Sequence, residues 1–288
     1  MSKQGRLYLV ATPIGNLGDM TPRAIEVLSS VDVIAAEDTR HSGKLLQHFG
    51  IKTPCLAYHE HNERQMCDKL VQRLQSGEQI ALISDAGTPL VSDPGYHLVN
   101  AAQRAGVQAI AVPGACALIS ALSVSGLPSD RFVFEGFLPA KSAARCQRLE
   151  ALVDDSRTLI FYESTHRIES SLADMAEIFG PQRLAVIARE LTKRFETVYS
   201  DSLSGLQQWL AADADQCKGE FVVLVQGVSK VMSDESEAEA VRVLSILMQE
   251  LPLKQAAALA ARISGKKKNA LYRLGLSLVE KAQSTRSK

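Results

Sequence analysis

Six short segments of this 288-residue chain carry residue types that could do chemistry. Glu37-Asp38-Thr39-Arg40-His41, Glu163-Ser164-Thr165-His166-Arg167 and Arg189-Glu190-Leu191-Thr192-Lys193 each set a carboxylate beside a fixed cation, and two of them add an imidazole. Such groups can move a proton near neutrality and hold an anion; they also pair with one another as plain structural ion pairs. Thr12-Pro13-Ile14-Gly15-Asn16-Leu17, Ser84-Asp85-Ala86-Gly87-Thr88-Pro89 and Pro113-Gly114-Ala115-Cys116 are of another kind. Their glycines let backbone come close to a ligand, although Asp-Ala-Gly-Thr-Pro taken alone is a turn.

Several chemistries are absent. No Gly-x-Gly-x-x-Gly follows the first apolar run, no Gly-x-x-x-x-Gly-Lys-Ser/Thr loop exists, and Gly-x-Ser-x-Gly is missing. Dinucleotide, P-loop and nucleophile-elbow readings therefore fall away. His59-Glu60-His61 places two imidazoles on one face of an extended segment, but a solvated loop explains it better and no metal is expected. Cys116 has no histidine partner in sequence and reads as a packing residue lining a cleft.

The elements that must position these segments alternate. Apolar strands are expected at Leu7–Thr12, Val31–Ala36, Cys55–Tyr58, Ile80–Ser84 and Val107–Val112. Between them lie helices at about 22–30, 42–49 and 63–75, one capped by Asp93-Pro94 and ending at Gly106, and one at 115–125. Continuous Val/Ile/Leu strands joined by helices predict a parallel sheet covered on both faces. Ligands sit beyond the carboxyl ends of such strands, where the segments above fall. Arg131–Phe137 reads as a last strand of this half. A second α/β half follows, with strands at 159–162, 184–189, 196–199 and 220–226 and helices at 166–179 and 203–210. The expected fold is thus α/β: two α/β domains with a cleft between them, plus a small C-terminal helical module. The boundaries read as 1–138, 139–228, an acidic linker at 229–239, and three short helices within 240–288.

Charge divides the chain in the same place. Lysine plus arginine and aspartate plus glutamate each number 32, so the formal net charge is zero. Yet Arg262–Lys288 holds eight basic residues against Glu280 alone, which makes this stretch +7 and everything before it −7. A basic tail on an acidic body points to a polyanionic partner. Lys266, Lys267, Lys268 and Arg273 are the candidate phosphate contacts, against the plainer reading of Lys266–Lys268 as a solvated turn. Five cysteines without a Cys-x-x-Cys pair suggest reduced thiols and a cytoplasmic location. The first apolar run is too short for a signal peptide, and no stretch has the length of a membrane span.

Taken together, Thr12-Pro-Ile-Gly-Asn-Leu, Glu37-Asp-Thr-Arg-His, Ser84-Asp-Ala-Gly-Thr-Pro and Ser92-Asp-Pro-Gly resemble the tetrapyrrole methylase superfamily, in its RNA-modifying branch. Ser125-Gly-Leu-Pro-Ser-Asp-Arg-Phe, Gly136-Phe-Leu-Pro, Glu163-Ser-Thr-His-Arg, Arg189-Glu-Leu-Thr-Lys and Lys218-Gly-Glu extend the resemblance from about Arg6 to Gln226. The basic end, with Glu250-Leu-Pro-Leu-Lys-Gln-Ala and Lys267-Lys-Asn-Ala-Leu-Tyr, is similar to that branch's helix-turn-helix extension.

The resemblance implies S-adenosylmethionine as cofactor, folded in the interdomain cleft. It also implies 2′-O-methylation of a cytidine ribose in the decoding region of 16S ribosomal RNA, free or within the small subunit, by a homodimer with no membrane attachment. Cofactor contacts are expected from Pro13, from Ser84, Asp85, Gly87 and Thr88, from Gly114, Ala115 and Cys116, and from Tyr162 and Leu191. Small-molecule members carry Gly-Asp-Pro where this chain has Ser84-Asp85-Ala86, and Asp85 keeps its place. Methyl transfer from a sulfonium to a ribose hydroxyl is helped by positioning and by a general base. Asp38, Glu163, His166 and Glu190 are the candidate bases, with Arg40, Arg167, Arg189 and Lys193 to hold phosphates or polarise the hydroxyl. A small-molecule methylase would explain the cleft alone; a non-catalytic nucleic-acid-binding regulator would explain the tail alone.

Overall fold

The computed structural model describes residues 5–228, 234–266 and 268–286. Residues 1–228 and 229–288 are separate compact units.

The first half of the larger unit runs β1 (Arg6–Val10), α1 (Pro22–Ser30), β2 (Val33–Ala36), α2 (Thr39–His48), β3 (Cys55–Ala57), α3 (Glu63–Gln75), β4 (Gln79–Ile83), α4 (Tyr96–Arg104), β5 (Gln108–Val112) and α5 (Ala117–Val124). Its strands form an all-parallel sheet in the order β3-β2-β4-β1-β5. Thr21 accepts the Ala24 N–H at 3.1 Å and Pro22 supplies a fixed φ, so α1 begins as its cap residues predict. One sheet face packs Leu7, Val33, Ala35, Ile80 and Leu82 against α3 and α4. The other packs Val10, Ile34, Ala36, Ala81 and Ile83 against α1 and α2.

The second half holds β6 (Phe132–Phe137), α6 (Ser142–Glu150), β7 (Thr158–Ser164), α7 (Ile168–Phe179), β8 (Leu184–Arg189), β9 (Thr197–Ser202), α8 (Leu203–Ala212) and β10 (Glu220–Val225). The sheet order is β6-β7-β10-β8-β9, with β6 and β7 parallel and the other pairs antiparallel. Leu159, Phe161, Ile187, Val223 and Val225 point to its own helices. Their alternates Ile160, Val186, Ala188, Val222 and Leu224 pack against Leu118, Ala121 and Leu122 of α5. A sheet buried on both faces explains the unbroken apolar runs of β7 and β10.

Two expectations are corrected here. The 132–137 strand opens the second sheet instead of closing the first, so the crossing between halves lies in 125–131 and not after 138. A strand's sequence carries no mark of its partner. Helix α6 was not foreseen: only Arg145 and Leu149 of it are buried, so it has no apolar periodicity to read.

The smaller unit consists of α9 (Asp234–Glu250), α10 (Leu253–Ser264) and α11 (Lys268–Arg286). Helix α9 begins inside the stretch read as a linker, since a segment rich in Glu and Ala has good helix propensity. Ala240, Leu244, Ala256, Ala257, Ala260 and Leu271 form its core. Gly265, left-handed at φ +68°, ends α10 as a C-terminal glycine should. Among the described residues no helix is long and apolar enough to cross a membrane.

Candidate active site between two sheets

The loops after β1, β4 and β5 are tied to one another. Thr12 and Gly87 exchange both backbone hydrogen bonds, at 2.8 and 3.0 Å. Gly87 adopts φ +82°, which a side chain would resist, and its missing Cβ also spares Ile14 a 3.3 Å contact. The Thr88 hydroxyl donates to the Ala115 carbonyl at 3.0 Å. Gly114 lies against Ala11, where a Cβ would fall 2.9 Å from that alanine's own. At the far end of the β4–α4 segment, buried Glu63 accepts the Gly95 N–H at 3.0 Å and the Tyr58 hydroxyl at 2.9 Å. Burial, and then that contact with Glu63, push the Tyr58 phenol up.

Across from these loops stands the second sheet. Tyr162 of β7 accepts the Leu118 N–H at 3.1 Å, so a side chain from the second half caps the first turn of α5. Between the halves lies a cavity of about 590 Å³. Ile14, Ala117, Ala188, Leu191 and Val222 make its apolar wall, and five acidic residues line it. Glu163 and Glu220 are each in an ion pair, whereas Glu37, Asp85 and Asp93 are in none among the described residues. No lysine or arginine lines it. Phe137, 53% exposed, stands at its edge, with the Arg167 guanidinium 5.8 Å from the ring centre.

Backbone strain gathers at the same place. Among the described residues the non-glycine positions with positive φ are Leu90, Ser92, Glu190 and Thr192, on two segments that border this cavity. Such outliers persist where surrounding structure holds them and cluster at functional sites.

Of the expected cofactor contacts, Asp85, Gly87, Thr88, Cys116, Tyr162 and Leu191 line the cavity, and Pro13, Ser84, Gly114 and Ala115 are not among its lining residues. Asp85 also accepts the Asp38 N–H at 3.0 Å, which joins the loops after β2 and β4.

The candidate bases are placed very differently from one another. Asp38 caps α2, accepting the Arg40 N–H at 2.8 Å and its guanidinium at 3.2–3.3 Å, and lies outside the cavity. Hydrogen bonds from the Arg40 side chain and backbone hold its carboxyl down at about 2. Arg40 itself is exposed. Glu163 is 3% exposed and accepts from Ser171 at 2.6 Å, Ser164 N–H at 2.8 Å and Arg167 at 3.0 Å. Arg167 also donates to the Leu138 carbonyl at 3.1 Å, so this pair fixes the chain leaving β6. Lys193 bridges Glu190 at 2.9 Å and Glu220 at 2.7 Å, while its stem lies where a Cβ on Gly15 would go. Burial alone would raise Glu190, but Lys193 and the Glu220 N–H hold it low. Arg189 spends its guanidinium on the carbonyls of Lys218, Phe195 and Asp215. His166 is exposed and lines the cavity.

Glu37, Asp93 and Phe137 were not among the expected site residues. Glu37 directly follows β2, so the rule about strand ends could have found it. Asp93 was read as the cap of α4, but that helix starts after Gly95, with no side-chain cap. Burial, reinforced by Glu37 and Asp85, raises the Asp93 carboxyl to about 6 against an opposing Ser84 hydrogen bond. Burial and then Asp85 push Glu37 up as well.

In the smaller unit, Lys268 and Arg273 of α11 are exposed and Lys266 is half-buried in the turn before it. Lys267 lies outside the described residues. The His59 and His61 rings meet edge to face at 5.9 Å, and no group of three ligating side chains among the described residues is arranged to hold a metal ion.

The class that this fold and cleft define is a two-domain methylase. The family model of Tetrapyrrole (Corrin/Porphyrin) Methylases matches residues 6–207, and that of the RsmI C-terminal HTH domain matches 234–278. The structure of uroporphyrin-III-C-methyltransferase from Thermus thermophilus is similar in fold, with a TM-score of 0.53 at 20% identity, covering 77% of this chain and 94% of that one. Ribosomal RNA small subunit methyltransferase I of Pseudomonas aeruginosa is 60% identical over 94% of this chain and 97% of its own length. The protein of that name from Escherichia coli O157:H7 is 55% identical over 96% of each. The chain belongs to the tetrapyrrole methylase family, among the ribosomal RNA small subunit methyltransferases I.

Proposed function

We propose that this chain transfers a methyl group from S-adenosylmethionine to the 2′-hydroxyl of a cytidine ribose in the decoding region of 16S ribosomal RNA. The observation that carries the reading is a cavity with three carboxylates outside ion pairs, an apolar wall and no basic lining, in a chain whose relatives bear an RNA methyltransferase name. S-adenosylmethionine carries a sulfonium and an ammonium on a largely apolar body, and a cavity of about 590 Å³ is of the right order for it. Asp85 fits the ammonium, with Glu37 and Asp93 adding negative potential on the sulfonium side, while Ala117, Ala188 and Leu191 fit the adenine and ribose faces. A phosphodiester entering this space would meet the uncompensated charges of Glu37, Asp85 and Asp93. The RNA backbone therefore stays outside, and a ribose with its base is what enters. Phe137, with Arg167 beside it, offers that base a ring on which to stack. The basic residues of 262–288 supply the phosphate attraction that the acidic body lacks.

Lys193, Arg167 and Glu163 support this chemistry by position: they hold the loops after β7 and β8 rigid around the cavity. A second copy of the chain is the implied partner. Ile119 and Val124, exposed on α5 away from the buried Leu118 and Leu122, are apolar surface of the kind an interface covers.

The decisive experiment maps ribose methylation in 16S ribosomal RNA from cells with and without the gene. One cytidine 2′-O-methyl should disappear with the gene and return with it; an unchanged map overturns the assignment. Calorimetry tests the cofactor separately. Asp85→Ala is expected to weaken S-adenosylmethionine by about 1–3 kcal/mol, the scale of a lost charged hydrogen bond. Equal affinity in both proteins would place the cation elsewhere.

A further inference from the structure

We propose that Asp93 is the proton acceptor for the reacting hydroxyl, with Glu37 as the neighbouring charge that readies it. The proposal rests on the methyl-transfer reading above and adds a residue to it.

The first reason is the fate of the other carboxylates. Asp38 is tied to Arg40 and to two N–H groups of α2, outside the cavity. Glu163 is saturated by three donors, and Glu190 and Glu220 share Lys193. Each already holds a cation or a full set of hydrogen bonds, which makes a weak base. His166 lines the cavity, but no hydrogen bond or ion pair among the described residues orients its ring. Asp85 has one oxygen engaged by the Asp38 N–H. Glu37 and Asp93 remain, both facing the cavity and neither in an ion pair among the described residues.

The second reason is where Asp93 sits. It lies near the end of a segment held at both ends, by the Thr12–Gly87 bridge and by the Gly95–Glu63 bond. Its neighbour Ser92 has φ +69° and meets Gly136 of β6, where a Cβ would come within 3.3 Å of the Ser92 hydroxyl. Asp93 is thus presented from the first half at the line where the second half closes. The groups facing it are Glu37 from the end of β2, Asp85 and Ser84 from the end of β4, and Tyr162 from β7. His59, beyond β3, faces Glu37 from behind.

Charge then makes the site work. When bound, S-adenosylmethionine supplies a methyl on a cationic sulfur and leaves as a neutral thioether. The 2′-oxygen bonds to the methyl carbon, the carbon–sulfur pair goes to sulfur, and the hydroxyl proton moves to a carboxyl oxygen of Asp93. Before the step, the three carboxylates outside ion pairs, Glu37, Asp85 and Asp93, face one sulfonium; after it, two of them and one carboxylic acid face none. The net charge in the cavity does not change. Like charges in a half-buried space hold a proton more tightly once the opposing cation is gone. The cluster therefore becomes most basic as the proton arrives.

The test uses the full-length protein. Carbon-13 titration of the ligand-free protein should show a carboxyl near pH 6 that is missing in Asp93→Asn and moves to lower pH in Glu37→Gln, because a like charge has been removed. Single-turnover transfer from methyl-labelled S-adenosylmethionine to small subunits from gene-deleted cells should slow 10²–10⁴-fold in Asp93→Asn, the usual contribution of a general base. Cofactor affinity should change less than tenfold, and Asp93→Glu should recover part of the rate. The wild-type rate should fall on the acid side, since the ionised carboxylate is the acceptor, with the limb below the ligand-free titration near 6 because the bound sulfonium favours the carboxylate. Glu37→Gln should shift that limb to lower pH. If Asp93→Asn loses cofactor as well, the Glu37→Gln limb decides. An Asp93→Asn rate within threefold of wild type, an unmoved limb, or no carboxyl near pH 6 overturns the proposal. A wild type that leaves the RNA unmethylated overturns the functional reading instead.

Discussion

A chain ending at Ser233 is expected to keep its cofactor affinity and lose most of its hold on RNA. Every residue lining the cavity precedes 229, and the unit beyond has a core of its own, so the larger unit loses no packing of its own. The RNA term follows from counterion release. If four of the eight basic residues in 262–288 sit on single-stranded phosphates, the salt slope of log affinity should flatten by about 3. Between 50 and 200 mM salt the full-length protein should then lose on the order of 50-fold more affinity than the truncated one. Replacing Lys266, Lys267 and Lys268 with alanine should give a smaller loss, nearly uniform across RNA sequences. Filter binding at several salt concentrations, with calorimetry for the cofactor, reads both quantities. Equal salt slopes for the two proteins would remove these residues from the RNA contact.

Asp174→Ala should destabilise the second half as much as the loss of a large core side chain. Its carboxylate meets Arg145 at 2.6 Å and accepts the Ser142 hydroxyl at 3.0 Å, joining α7 to the start of α6. Arg145 is only 3% exposed, and its other donors reach the carbonyls of Pro139 and Ala140 at 3.3–3.4 Å. Removing the acid leaves a buried guanidinium without its counter-charge, a change that costs about 3–5 kcal/mol. For a unit of this size that is a fall of roughly 6–20 °C in Tm. Replacing both partners with apolar residues should recover much of it, since the pair's own attraction is largely offset by desolvation. Calorimetric melting of the single and double variants separates the two cases. A loss in Asp174→Ala below about 1 kcal/mol would mean that water reaches the arginine.

Parts of this molecule were legible in the residues because they are local. Thr21-Pro22 starts a helix and Gly106 ends one, since caps and backbone angles depend on near neighbours. The continuous apolar runs of β1, β2 and β4 announced a parallel sheet, and the charge asymmetry of 262–288 is a property of composition alone. The expectation that polar loops after the strands share one cleft is also local, because a parallel sheet puts all those ends on one edge.

What tertiary structure decided is which groups meet. Asp38, Glu163 and Glu190 look alike in sequence as acids beside bases, yet each is spent on a cap, a buried triple contact or a lysine bridge. Asp93 looked like a helix cap, and only the meeting of two halves puts it beside Glu37 and Asp85. The strand at 132–137 gave no sign of which sheet it would join. Arg145 and Asp174, 29 residues apart, make a buried pair that fixes α6, a helix without apolar periodicity, to α7. Caps and strand runs are settled within a few residues, whereas desolvation and pairing depend on groups that only the folded chain brings within a few ångströms.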